Sequence, residues 1–318
     1  MYFAEIANRS NLFFMALVAG LYPSYFDDPG QNREFLELVG NDNRYNALEI
    51  PINSKSEPVF WPDGAPEGWG AVVTQLPATM ANIAENKNFG LASTDDSQRS
   101  AAMDLAQHTF TSVLTLKETG HPVIAVEIHS APKGGSVAAL QNSLDVIASW
   151  DWGETKLVIE HCDAPRSTHG TKKGFLELFE EIALVTELRE SGLNIGITIN
   201  WARSAIETRS AQAGISHLIQ TRDAGVLTGM MFSSVSTAET SFGPPWSDAQ
   251  LAPKNIPGAP PESLLTTELL SGCLRELPEE VSYLGAKVTL EGCTTPKERA
   301  DAWSHIADML TNYVVAEQ

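Results

Sequence analysis

The chain has 318 residues, and its 40 acidic side chains against 21 basic ones give a net charge of −19. Such a charge repels phosphodiester backbones and offers no basic stripe, which excludes nucleic acid as an expected partner. The three cysteines, Cys162, Cys273 and Cys293, contain no CxxC pair and make no disulfide framework, which fits a reducing cytoplasm.

No run approaches the roughly 20 apolar residues of a membrane span, so no membrane partner is expected. Arg9 precedes an apolar run from Leu12 to Val18 that could suggest a secretory leader. However, Glu5 lies upstream and the run also serves as a first strand, so a cytoplasmic location is expected.

Eight short apolar runs follow in chain order: 13 to 20, 47 to 52, 70 to 76, 122 to 130, 157 to 163, 195 to 202, 226 to 234 and 287 to 293. Most are continuous in Val, Ile and Leu rather than alternating, as parallel strands buried on both faces require. Every run but the second is followed by a stretch of helical character, notably 97 to 118, 136 to 149, 171 to 191, 204 to 223, 264 to 277 and 295 to 315. This alternation predicts one (β/α)8 TIM barrel over residues 1 to 318, a fold that needs roughly 250 residues and tolerates insertions.

The surplus length falls in two Pro- and Trp-bearing rim insertions, at 53 to 69 and 235 to 262. Both follow strands, so both should rise over the C-terminal rim, where loops serve as lids, substrate walls or plain insertions. Helix starts are marked by Ser97, by Ser136, and by Thr295 and Pro296 with Glu298 in capping-box register. Gly192 and Gly225 mark helix ends before the sixth and seventh strands.

Residues two apart on a strand share a face. If Glu160 faces the barrel interior, Val158 and Cys162 face it too, and His161 leans toward the helices. Glu291 would share the interior with Thr289, Asn200 with Thr198, and Glu127 with His129. A buried carboxylate must be paired, hydrogen-bonded or metal-bound. Glu160 and Glu291, each ending an apolar run, are therefore the expected catalytic residues, as cation ligands or as a general acid and base. The plainer alternative is that they meet Arg203, Lys133 or backbone amides and tie the rim together.

His161 reads either as an orienter behind Glu160 or as a structural histidine. His217 and His305 read as packing or surface residues, and the Glu177, Glu180 and Glu181 group as a solvated face. No nucleophile elbow, HExxH pair, phosphate loop or dinucleotide fingerprint is present.

The strings VIEHCD around Glu160, TLEGC around Glu291 and ALEIP around Glu49 resemble the xylose isomerase-like barrels. That superfamily includes sugar isomerases, ketose 3-epimerases, inosose dehydratases and endonuclease IV-type repair nucleases. The resemblance implies a metal held by acids ending strands five and eight, here Glu160 and Glu291, together with a strand-six Asp and a strand-seven His. The sequence has Asn200 and then Arg203 where the resemblance implies Asp and then His, and the seventh run, GMMFSSVS, holds no His.

Three arrangements could replace the missing ligands. The first is a relocated Mg or Mn cation on Glu160, Glu291, Asp163 and His129. The second is a metal-free site in which Arg203 clamps an anionic substrate group and Glu160 or Glu291 acts as base. The third is a ligand-binding barrel without turnover, with Trp201, Phe232 and Trp246 as stacking surfaces.

The expected function is a sugar or polyol isomerase or epimerase acting by proton transfer from rim carboxylates; a non-catalytic binding barrel is the alternative. Glu49, Glu127, His129, His161, Asn200, Trp201, Arg203 and Trp246 are the expected contacts to a small polar substrate. The resemblance also implies a possible homodimer. The repair-nuclease branch would need a histidine-rich site and a basic groove, neither of which the sequence provides.

Overall fold

The computed structural model describes residues 15–53 and 59–311, and within them eight parallel strands close into a barrel in chain order. These are β1 (Ala16–Gly20), β2 (Ala47–Pro51), β3 (Gly70–Thr74), β4 (Val123–Ile128), β5 (Lys156–Glu160), β6 (Ile195–Asn200), β7 (Leu227–Phe232) and β8 (Tyr283–Lys287). The helices are α1 (Pro29–Gly40), α2 (Leu76–Glu85), α3 (Asp96–Glu118), α4 (Val137–Ala148), α5 (Leu178–Glu190), α6 (Trp201–Thr208), α7 (Ala213–Asp223), α8 (Thr267–Arg275) and α9 (Pro296–Thr311). Among the described residues no helix lies between β2 and β3. Phe13, Phe14 and the run's upstream flank lie outside the described residues, as do residues 54–58 of the first insertion.

Every predicted strand but the last falls on its apolar run. The eighth strand is not KVTLEGC but the preceding YLGAK, which pairs residue by residue with β1 from Ala16↔Tyr283 to Gly20↔Lys287. The reason is steric. A Cβ at Gly285 would lie 2.4 Å from the Val18 carbonyl oxygen and 2.9 Å from Met231 Sδ, so the barrel needs a residue without a side chain there. Such a strand carries no apolar run. Val288 and Leu290 of the apolar stretch that follows are buried beyond the barrel, where Thr289 bridges Leu251 of the second insertion.

The barrel floor is a small cluster of Ala16, Val18, Ala47, Val72, Ala125, Val158, Met231 and Tyr283, separate from the larger core between strands and helices. Strand alternation then lifts Glu49, Glu127 and Glu160 onto the same face, each two residues beyond a floor residue, with Lys287 four beyond Tyr283.

Local signals behave mostly as read. Thr295 and Glu298 form a reciprocal box, Glu298 N to Thr295 Oγ1 at 3.2 Å and Thr295 N to Glu298 Oε2 at 3.0 Å. Gly192 and Gly225 take φ of 90° and 69° where α5 and α7 end. The cap of α3 is Asp95 rather than Ser97, because the Asp95 carboxylate accepts from both Ser97 N and Gln98 N. Among the described residues no helix is long and apolar enough to cross a membrane.

Candidate functional site

At the C-terminal end of the barrel a chain of charged side chains is sealed from solvent. Glu160, at the end of β5, is the hub. Its Oε1 meets the guanidinium of Arg203, with Lys287 Nζ at 3.5 Å and Asn200 Nδ2 at 3.4 Å, and its Oε2 accepts from His129 Nε2 at 2.9 Å. Lys287 also donates to Glu49 Oε1 from the end of β2, and its ammonium lies 5.8 Å from the Tyr22 ring centroid. Arg203 continues the network outward, its Nε donating to Asp248 Oδ2 at 3.2 Å. The same oxygen accepts from Lys173 Nζ at 2.7 Å, and Asp163 Oδ1 lies 3.3 Å from that ammonium.

Asn200 is fixed by its own carbonyl oxygen, which accepts from Ala202 N at 3.2 Å and Ser233 Oγ at 3.1 Å. Its amide is thereby turned toward Glu160. An Asp there would set a second carboxylate against the first, so Asn is the residue compatible with a Glu160 already committed to cations.

Burial and pairing separate the three acids. Burial opposes ionisation of Glu160, but Arg203 and Lys287 outweigh it and hold its pKa well below the usual carboxylate range. Burial raises Glu49, with Lys287 only partly offsetting it. Glu127 is raised well above the usual value by burial and then by Glu160 and Glu49, and it accepts from Tyr283 Oη at 2.9 Å. Burial disfavours the ammonium of Lys287, yet Glu160 and Glu49 drive its pKa upward. The imidazole of His129 is pushed down to about 4 by burial, against the pull of Glu160. At neutral pH it is therefore a neutral ring whose Nε2–H is spent on Glu160.

Several buried atoms in this network lack a hydrogen-bond partner among the described residues: His129 Nδ1, Glu49 Oε2, Glu127 Oε2, Arg203 Nη2 and Asp248 Oδ1. Each costs about 1–3 kcal/mol when left unsatisfied.

A second network lies outside the barrel wall, behind β5. His161 points away from the interior, as alternation from Glu160 requires. Its Nδ1 lies 2.7 Å from Glu181 Oε2 on α5, and its Nε2 lies 2.9 Å from Glu207 Oε2 on α6. Glu181 is fully buried and also accepts from Ser130 Oγ, so the expectation of a solvated face fails at this residue. Ligand atoms of His161, Glu207 and His217 all lie within 4.8 Å of one another, a grouping that could hold a metal ion.

The structure brings together Glu160, Glu49, His129, Asn200 and Arg203, with Glu127 just beneath. Other expected residues lie elsewhere. Glu291 falls in an exposed turn beyond β8, because the strand ends four residues earlier at Lys287, and it lines an open cleft with Glu239 and Glu262. Trp201 is fully buried between strands and helices, where a Cβ at Gly214 would lie 2.2 Å from its ring. Phe232 joins the same outer core. Trp246 is half-buried on the rim, with the Arg209 guanidinium 5.0 Å from its ring centroid. Cys162 is a buried thiol pushed up to about 12 by burial, which suits a packing role.

The expected cation set of Glu160, Glu291, Asp163 and His129 is not assembled. Both oxygens of Glu160 are committed to cations and His129, Asp163 is engaged by Lys173, and Glu291 is outside. Lys287 Nζ stands between Glu49 and Glu160, where a cation shared by these acids would sit, so this donor set does not fit Mg or Mn. Lys287, Lys173 and Asp248 went unread in the sequence. The available signal was charge balance, since strand-end acids on β2, β4 and β5 need cations and Lys287 is the strand-end Lys that the eighth run contains.

These features define a (β/α)8 barrel with a buried network of acids and bases at the C-terminal ends of its strands. In fold the chain is similar to the IolI protein solved with a zinc atom, with 11% identity, TM-score 0.58, and 94% of this chain and 99% of that chain covered. It is also similar to a xylose isomerase domain-containing protein from Salmonella typhimurium LT2, with 11% identity, TM-score 0.56, and 93% and 97% covered. A third similar structure is D-psicose 3-epimerase in the presence of D-fructose, with 13% identity, TM-score 0.52, and 92% and 99% covered. In sequence it is 36% identical over 234 residues to an uncharacterized protein, STM3670, of Salmonella typhimurium (strain LT2), covering 70% of this chain and 71% of that one. The chain belongs to the family described as a domain of unknown function (DUF4862), whose model matches residues 18–300.

Proposed function

We propose that the chain is an isomerase or epimerase acting on a small polyhydroxy carbonyl compound by proton transfer, without a cation at the barrel centre. His129 is the proton-transferring group and Glu160 its positioning partner. The observation that carries this reading is the buried His129 ring, whose Nε2–H is fixed on a carboxylate while Nδ1 has no partner among the described residues. A ring so oriented presents its basic lone pair to whatever meets it, the arrangement general-base catalysis requires. Lys287 offers three donors, of which Glu49 and Glu160 use two, and Arg203 Nη2 is unused. These fixed cations can steady the oxygen on which negative charge develops when a proton leaves the neighbouring carbon. Glu49 and Glu127 each keep an oxygen for substrate hydroxyls.

The fold neighbours support the substrate class, since D-psicose 3-epimerase is among them. A second reading, a binding barrel without turnover, is favoured by the full commitment of Glu160 to Arg203, Lys287 and His129.

The test uses aldoses, ketoses and inososes in heavy water, with NMR detection of deuterium at the carbon beside the carbonyl. His129→Gln keeps a donor for Glu160 and deletes the base. Exchange should fall by about 10²–10⁴ while a thermal shift with the same sugar persists. Binding without exchange in the unaltered protein selects the second reading.

A further inference from the structure

The outer cluster behind β5 has no part in that chemistry, yet its geometry is incomplete as a set of hydrogen bonds. Both nitrogens of His161 face carboxylates, Nδ1 on Glu181 and Nε2 on Glu207. Glu181 is pinned by Ser130 and holds the Nδ1 side of the ring, which turns Nε2 toward Glu207 Oε2. The same pattern recurs in His217. Its Nδ1 lies 3.0 Å from Ser204 Oγ, and its Nε2 faces Glu207 Oε1 at 3.9 Å, beyond hydrogen-bond reach. Two imidazole Nε2 atoms and a carboxylate thus converge from the residue after β5, from α7 and from α6, with each ring held from behind by a polar group, as metal-bound histidines usually are.

We propose that His161 Nε2, His217 Nε2 and Glu207 form a binding site for a single zinc-like divalent cation, separate from the barrel centre. Two imidazoles and one carboxylate suit Zn²⁺ better than Mg²⁺, and bonds of about 2.0–2.2 Å bridge the Nε2 to oxygen gaps after small shifts. The fourth position lies on the side of Arg166, whose guanidinium contacts Glu207 Oε1 and is a third exposed. Arg166 is also held by Glu177 Oε2 at 2.8 Å, so it can leave Glu207 without losing its anchor. It is a built-in competitor for the ion. The cation would clamp the 162–177 loop, since Ala164 N donates to Glu207 Oε2 at 2.9 Å and His169 Nε2 donates to the Glu207 carbonyl at 2.7 Å.

The experiment strips the full-length protein with chelator, reloads it with Zn²⁺ or Co²⁺, counts the retained ion and reads its ligands by X-ray absorption. One ion per chain with two imidazoles in its shell is expected. His217→Ala should lose it, and Arg166→Gln should bind it about tenfold more tightly or better, because a neighbouring positive charge is removed. Absence of a retained ion overturns the proposal. So does a shell with one imidazole that vanishes in His129→Gln, which would place the ion at the barrel centre. Because the spectrum is taken on the unaltered protein, a misfolded His217→Ala leaves the proposal open to refutation.

Discussion

Replacing Lys287 by Met tests whether the barrel centre is held by its internal charge balance. The substitution keeps most of the side-chain volume but removes the buried ammonium that donates to Glu49 and lies 3.5 Å from Glu160. Glu160 retains Arg203 and His129, so the cost falls mainly on Glu49, which no other cation among the described residues contacts at ion-pair distance. Breaking a buried pair by deleting one partner costs about 3–5 kcal/mol. At about 2 °C per kcal/mol for a chain of this size, Tm should fall by about 6–10 °C.

The loss should depend on pH in a defined direction. Burial already raises Glu49 above the ordinary carboxylate value, and loss of Lys287 raises it further. Between the unfolded and folded pKa values the folded variant then holds the extra proton, so its stability rises as pH falls through the folded value. The deficit against the unaltered protein should therefore be largest at pH 8 and shrink toward pH 5. Adding Glu49→Gln should return about 1–3 kcal/mol, because the uncompensated charge is gone. Scanning calorimetry at both pH values measures all three proteins. A Lys287→Met deficit that is identical at pH 5 and pH 8 and indifferent to Glu49→Gln would show that the pairing is not what holds this end of the barrel.

Other outcomes follow from individual contacts. Gly229→Ala places a Cβ 2.3 Å from the Tyr283 ring and should cost about 1–3 kcal/mol in chemical denaturation; a neutral effect would mean the ring moves freely away from Glu127. Trp303→Ala removes a fully buried indole packed edge-on to Tyr45 at 6.0 Å, and a loss of about 3–5 kcal/mol is expected. Glu291→Gln changes an exposed turn residue and should stay within about 0.5 kcal/mol in the same assay. A larger loss would return Glu291 to a buried, paired environment. His129→Gln should slow carbon–hydrogen exchange by about 10²–10⁴ while sparing sugar-induced thermal shifts.

The barrel was legible because its strands and helices announce themselves by period, and Glu160 by being an acid at the end of an apolar strand. The eighth strand was not legible. Its interior positions are Tyr283, Gly285 and Lys287, a small residue between two with polar tips, while the apolar VTL just beyond it serves a different layer. The one shift of register exchanged Lys287 for Glu291 and so turned an expected pair of acids into an acid–base pair. Trp201 was misjudged for a related reason, since the chain turns into α6 directly after Asn200 and the indole falls among the helices. Asp248 and Lys173 reach the site from loops, where neither period nor spacing reveals direction. The outer cluster needed three elements to meet, and no sequence pattern links His161 to Glu207 and His217.

The Asp163 carboxylate belongs to the network that runs inward through Lys173 and Asp248, whereas the next backbone amide, Ala164 N, is held by Glu207 in the outer cluster. One peptide unit therefore yokes two electrostatic systems on opposite faces of the barrel wall. Substitutions made in both at once should depart from additivity, and tolerance for change at either must be set jointly.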